Sequence, residues 1–528
     1  MGRLLSQKWV KPLLIAVVIL MILGIILIAL LADDDDTLPP NAETTVVEVK
    51  DNGEYRYNIY ADNTLGIIAY LGDHTIITIP ESISGLPVTR IEDSAFRASS
   101  LTGIVLPETI RIIGARAFYG CEGLSSLTIP QGVQTIGKDA FLIEKNHSAS
   151  FVPWVYSRGE EFVIVGDGIL IAYIGNSPEK LEIPDEVKHV SRFYFRGSTI
   201  KELTLPDSLR SIGDSAFEDF KAIAKVSLPS SLVQIGSRAF YNCKNLEQIT
   251  LPESVKTLGS EAFACCPKMK TATLKGVETI GEKAFAYCLG LTSVTLPKTS
   301  LTQIESGAFT DCSRLSEIVI PDSVTNLGPR VLHGTEWMNS QKDKTFVITA
   351  NGMLVGYNGN GGQVTIDDPA ILTVADAFAG REDVTGVILG NSVLSLSDSA
   401  FEDCTGLTAV ITSKYLERIG KRAFAGCTAL RQADLLDGIT EIGENAFENC
   451  TSLVSIKLPS MLKTVPQKCF IGCTSLTEVN LPVSVKTIEH SAFNMCPLEK
   501  IEYKGSDRQR KKIKIADGNA VFQTIFKD

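Results

Sequence analysis

The chain has 528 residues, 44% of them hydrophobic, with 61 acidic against 50 basic side chains and a formal net charge of −11. That length is enough for a large folded body, and that acidity argues against nucleic acid or an anionic lipid surface as partner. The five histidines, His74, His147, His189, His333 and His490, lie far apart in the chain, so no shared catalytic or metal-binding constellation is expected.

Residues 1–12 carry Arg3, Lys8 and Lys11 and read as a short cytoplasmic segment. An unbroken apolar run follows at residues 13–32. As a helix rising ~1.5 Å per residue it would span about 30 Å, the thickness of a bilayer core. Basic residues before it and Asp33, Asp34, Asp35 and Asp36 after it predict a retained signal-anchor helix, with everything beyond it extracellular. A cleaved signal peptide is the competing reading, but its apolar core usually runs only ~7–15 residues. The four aspartates lack the spaced ligands and turn glycine of a calcium loop. Residues 33–50 are therefore taken as an acidic, polar tether.

From there to about residue 500 the chain repeats. Ala-Phe or its equivalent falls at Phe96, Phe118 and Phe141, at Phe217, Phe240, Phe263, Phe285 and Phe309, and at Phe378, Phe401, Phe424, Phe447, Phe470 and Phe493. The steps are 22 to 24 residues, and every step in the last block is 23. In the unit that begins at Leu453, apolar residues stand at Leu453, Ile456 and Leu458, Pro459 follows, and Leu462, Val465, Phe470 and Cys473 complete the pattern. The alternation before the proline is that of a short strand with one buried face, and proline, which donates no ladder hydrogen bond, ends it. Units of this length cannot bury their apolar faces alone, so stacking into a solenoid must supply the core.

This pattern resembles the 23-residue leucine-rich repeats of the BspA-like surface proteins across residues 64–504. The resemblance implies an α/β-type repeat solenoid: an array of short parallel strands joined by turns or short helical segments, here preceded by one transmembrane helix. It also implies a surface-exposed interaction role, and it brings no catalytic residues. Leu332 in place of Phe, Tyr194-Phe195 in place of Ala-Phe and Cys469 in place of Ala depart from the motif.

Ten cysteines sit three residues after the repeat Phe, from Cys121 to Cys496. One shared phase points to one interior stripe, where cysteine serves as a small buried hydrophobe, and reduced thiols are expected. No C-x-x-C pair is present, so neither zinc nor redox chemistry is expected, nor any cofactor.

Two stretches interrupt the rhythm, near residues 150–180 and 335–362, and they resemble each other. Each has a Trp (Trp154, Trp337), an apolar triplet, Asp167-Gly168 or Asn351-Gly352, and a Tyr-x-Gly (Tyr173 to Gly175, Tyr357 to Gly359). Asp-Gly and Asn-Gly between β-formers predict hairpins with type I′ turns. Tyr70 and Gly72 suggest a partial third copy that opens the array. After residue 501 the repeat is lost, and Arg508, Arg510, Lys511, Lys512 and Lys514 read as the solvated face of a terminal cap spanning 501–528.

Function then falls to surface. Outward strand positions place Thr204, Ser227, Thr250, Thr273 and Thr295 in one strip, a candidate site for an extracellular protein or glycan. Trp154 and Trp337 are alternative anchors, or else they pack the inserts onto the coil beneath. A structural spacer without a ligand is the remaining reading.

Overall fold

The computed structural model describes residues 45–145, 148–176, 178–191 and 199–527. The anchor expected at residues 13–32, the cytoplasmic segment 1–12, most of the tether, and Tyr194-Phe195 lie outside them. Among the described residues, no helix is long and apolar enough to cross a membrane.

Each repeat makes one coil of a solenoid held by three ladders. In the first ladder, strands such as Lys180–Glu182, Glu202–Thr204 and Lys225–Ser227 pair in parallel and in register. Their central residues Leu181, Leu203 and Val226 are buried while their neighbours face outwards, as the alternation requires. The second ladder is built from two-residue strands such as Gln234–Ile235 and Thr257–Leu258, one per coil, again parallel. In the middle block it forms a nine-stranded sheet from Phe162–Val165 to Asn326–Leu327.

The third ladder carries the repeat Phe, and it is not helical. The helices in the described residues are the short Pro153–Ser157, Glu336–Asn339 and Asp507–Arg510 and the terminal Ala520–Lys527, all outside the regular coils. The physical reason lies two residues either side of the Phe. Around Phe240, Arg238 and Asn242 have φ of 54° and 59°, the left-handed region. Alternating hands turn successive N–H groups in opposite directions. Arg238, Phe240 and Asn242 therefore donate to the carbonyls of Ser260, Ala262 and Ala264 one coil on, at 2.7 to 2.9 Å, rather than closing a helical turn. The strain of left-handed non-glycine residues, of order 1–2 kcal/mol each, is offset by these bonds between coils.

Inside, the rings of Phe217, Phe240, Phe263, Phe285 and Phe309 stack with centroids 5.2 to 5.5 Å apart. Leu332 takes the Phe place at the end of that row and is buried all the same. The core divides into three contiguous clusters, beginning at Tyr55, Leu170 and Leu354.

Those beginnings are the hairpins. Phe162–Val165 pairs antiparallel with Ile169–Tyr173, and Phe346–Ile348 with Met353–Tyr357. The second strand of each then starts a run of the second ladder, beside His189–Val190 and Thr373–Val374. The opening hairpin, Tyr55–Tyr60 with Leu65–Tyr70, repeats this topology. The turns differ from the expected type I′. Gly352 (φ 79°) has positive φ but Asn351 does not, and the Thr349 N–H donates to the Met353 carbonyl at 2.9 Å, giving a longer loop with a glycine bulge. In the first insert, Gly166 and Gly168 take positive φ and Asp167 does not. The turns are shaped by docking: the Asp167 N–H bonds the Val133 carbonyl, and the Asn351 amide bonds those of Pro321 and Val324.

Two boundaries also move. Val46–Asp51, all but its last residue assigned to the tether, is a strand antiparallel to Tyr55–Tyr60. The tail holds one further, stretched coil. Lys500–Tyr503 extends the first ladder, Lys514–Ile515 the second, and Phe522 stacks on Phe493 at 5.2 Å. The inserted helix Asp507–Arg510 lengthens that coil and hides its period in the sequence.

Candidate functional site

The outward strip is real geometry. Thr204 lies opposite Ser227 in one three-stranded sheet, and Thr250, Thr273 and Thr295 are partners in the next. Between Ser227 and Thr250 the strand pairing breaks, although the Glu247 N–H still reaches the Ala224 carbonyl at 3.3 Å. Thr204, Ser227, Thr250 and Thr295 are exposed and Thr273 is half-buried. Their hydroxyls follow one another up the coils because parallel, in-register strands repeat the same face at each step.

Charge along the strip is uneven. At its lower end the Lys180 ammonium meets the Glu202 carboxylate at 2.9 Å, and this pairing holds the Glu202 carboxyl below its ordinary range. From Gln248 to Thr295 the outward positions are neutral: Gln248, Thr250, Thr271, Thr273, Ser293 and Thr295. Such a surface can donate and accept hydrogen bonds without repelling either sign of charge, and it supplies neither a nucleophile–base pair nor an aromatic anchor. Among the described residues, no group of three or more His, Cys, Asp or Glu side chains is placed to hold a metal ion.

The two tryptophans have separate fates. Trp154 is 5% exposed, its ring 5.4 Å from that of Phe141 and its main-chain N–H bonded to the Leu124 carbonyl. It packs the first insert onto the coil beneath and presents no face to a partner. Trp337 makes the matching bond to the Leu315 carbonyl at 2.7 Å but stays half-buried. It borders a cavity of about 150 Å³ lined by Ile318, Val319, Ile320, Leu332, Thr349 and Ala350. A second cavity of about 440 Å³ shares Ala350 and runs past Asp322 and Leu372. This recess was not anticipated from sequence. Its one signal was Val319, apolar and 68% exposed at a position where the preceding coils carry Thr or Ser.

All twelve cysteines are free thiols. The ten in-phase residues are buried, and each thiol donates to the carbonyl of the Phe one coil back, from Cys121 to Phe96 (2.9 Å) through Cys496 to Phe470 (3.0 Å). Burial pushes the thiols of Cys243, Cys450 and Cys469 up from their ordinary value, away from the reactive thiolate.

No curated protein matches the chain. Solved structures similar to it include a leucine-rich repeat protein from Bacteroides ovatus, with 25% identity, 88% of this chain and 94% of that chain covered, and a TM-score of 0.28. A leucine-rich cell surface protein from Faecalibacterium prausnitzii is similar at 23% identity, with 89% and 98% covered and a TM-score of 0.30. The leucine-rich repeat protein of T. pallidum is similar at 24% identity over 51% of this chain and 91% of that one, with a TM-score of 0.21. The family model of the BspA type leucine-rich repeat region, in six copies, matches residues 74–157, 172–288, 269–348 and 394–510. Those matches span well over half of the sequence, and the chain belongs to the BspA-type leucine-rich repeat family.

Proposed function

We propose that this protein is a non-catalytic, membrane-anchored cell-surface binder whose solenoid displays an adhesive face to an extracellular protein or glycan. The observation that carries the reading is the in-register row of outward hydroxyls at Thr204, Ser227, Thr250, Thr273 and Thr295. Side chains of this kind hydrogen-bond sugar hydroxyls or a polar protein surface, each contact being weak and the row being long. The apolar run at residues 13–32 would hold the repeats outside the cell. A plain spacer is the second reading, favoured by the scarcity of Tyr, Trp and Arg on the strip.

The two readings part on one experiment. Replacing Thr250, Thr273 and Thr295 together with Lys changes exposed or half-exposed positions, where substitutions usually shift stability by under about 0.5 kcal/mol each. Glycan-array and cell-adhesion binding should be lost with folding intact. Unchanged adhesion in this variant would favour the spacer. A protein recovered in the soluble medium with a new N-terminus near Asp33 would remove the anchor.

A further inference from the structure

Despite the break in pairing between Ser227 and Thr250, every coil of the middle block supplies a first-ladder strand up to residues 317–320, and there the next one is absent. The Val294 N–H still donates to the Glu317 carbonyl at 2.9 Å. Beyond it, Ile318, Val319 and Ile320 make no backbone hydrogen bond to any described residue. The following coil is spent on helix Glu336–Asn339 and the hairpin of Phe346–Ile348 with Met353–Tyr357, none of which joins the first ladder. The ladder resumes at Gly362–Ile366, an edge strand paired only with Val384–Leu389.

An open edge of this kind is a template for another strand, and folded proteins normally cover it. Here the cover is incomplete. Trp337 and Ala350 stand back from the edge and leave the cavity of about 150 Å³ along Ile318, Val319 and Ile320. Val319 turns its side chain outwards, while Ile318 and Ile320 are buried beneath, the alternation of a strand awaiting a neighbour. The surroundings are acidic: Glu317 on the edge, Asp322 in the adjoining cavity and Glu336 beside Trp337. None of the three is ion-paired among the described residues. Lys342 and Lys344 sit at the far end of Phe346–Ile348 from Ala350.

We propose that this junction binds an extended, basic peptide, which adds as a strand to the open edge at residues 317–320. Main-chain hydrogen bonds to Ile318 and Ile320, the alternate residues that face the next coil, would set its path, and one apolar side chain would fill the cavity beside Trp337. Lysine or arginine at its flanks would meet Glu317, Asp322 and Glu336. This site is independent of the hydroxyl strip.

The test uses the full-length protein in detergent and a fluorescein-labelled peptide with a Val-Thr-Val-Thr-Val core and two lysines at each end. Saturable binding is expected, and it should weaken at least about tenfold when alternate peptide amides are N-methylated or the lysines become glutamates. Glu317→Lys reverses a charge on the edge and should weaken binding of the lysine-flanked peptide at least about tenfold. Ala350→Trp fills the cavity from the opposite wall and should do the same, which keeps the test decisive if the charge variant folds poorly. Ser455→Lys, exposed on the outward face of a coil in the last block, should bind the peptide normally. Absence of saturable binding, equal binding of the N-methylated peptide, or normal binding by a folded Ala350→Trp variant would overturn the proposal.

Discussion

The Cys473 thiol donates to the main-chain carbonyl of Phe447, one coil back, at 3.1 Å. That bond joins the two most regular features of the repeat and gives a reason for the cysteine three residues after ten of the fourteen repeat Phe residues. The Phe447 carbonyl takes the Cys450 N–H of its own turn at 3.3 Å, and the thiol of the next coil, a small, weak donor at the interior stripe, adds a second bond between coils without needing space.

Cysteines so placed should be inert. In the native protein, alkylation by iodoacetamide is expected to be slow at neutral pH, because burial disfavours the thiolate. In denaturant without reductant, all twelve should react. A mass deficit of two protons per pair after non-reducing unfolding would show disulfides instead.

The Phe stack should be costly to interrupt. Phe263 is fully buried between Phe240 and Phe285, at 5.2 and 5.4 Å. Phe263→Ala is expected to destabilise the middle block by about 3–5 kcal/mol, read as a lower denaturation midpoint. Because each coil contacts only its neighbours, hydrogen exchange near Phe470 should change little. Uniform loss of protection along the chain would contradict this.

At the second insert the Arg330 N–H meets the Asp376 carboxylate rather than a carbonyl of a regular coil. Burial pushes the Asp376 carboxyl up to about 6. The unfolded value is about 3.9, so the folded state holds the extra proton between these two values. The contribution of this group is therefore favourable at low pH and declines as pH rises through about 4 to 6. Asp376→Asn should raise stability at neutral pH and flatten its pH dependence in that window. Urea midpoints of the two proteins that stay parallel from pH 4 to pH 7 would refute the assignment.

Asn519 closes the solenoid. Its side-chain oxygen accepts the Phe493 N–H at 3.0 Å, and its amide donates to Glu489 and Ala516 carbonyls at 2.8 Å each. The turn ladder sends its N–H groups towards the C-terminal end, so the last coil needs an acceptor from outside the repeat. Asn519→Ala should cost about 1–3 kcal/mol by leaving a buried donor unsatisfied. Amide exchange at Ser491 and Phe493 should rise first, and no change there would argue against a capping role.

The repeat period, the buried stripes and the three hairpin starts could be read from residues alone, since each depends on local spacing repeated many times. Leu181, Phe240 and Cys243 lie inside because alternation and phase leave them no other place. What needed the folded chain was everything set by contact between coils. Of the turns or short helical segments expected, the Phe segment is turn, because Arg238 and Asn242 give their N–H groups to the next coil. Asp167-Gly168 and Asn351-Gly352 marked hairpins correctly, yet their turns were reshaped by Val133, Pro321 and Val324, residues about 30 positions away. Phe522 joined the stack only because an inserted helix could be accommodated at a free end. The open edge at Ile318, Val319 and Ile320 is a missing partner, and a sequence has no residue that marks the absence of a neighbour.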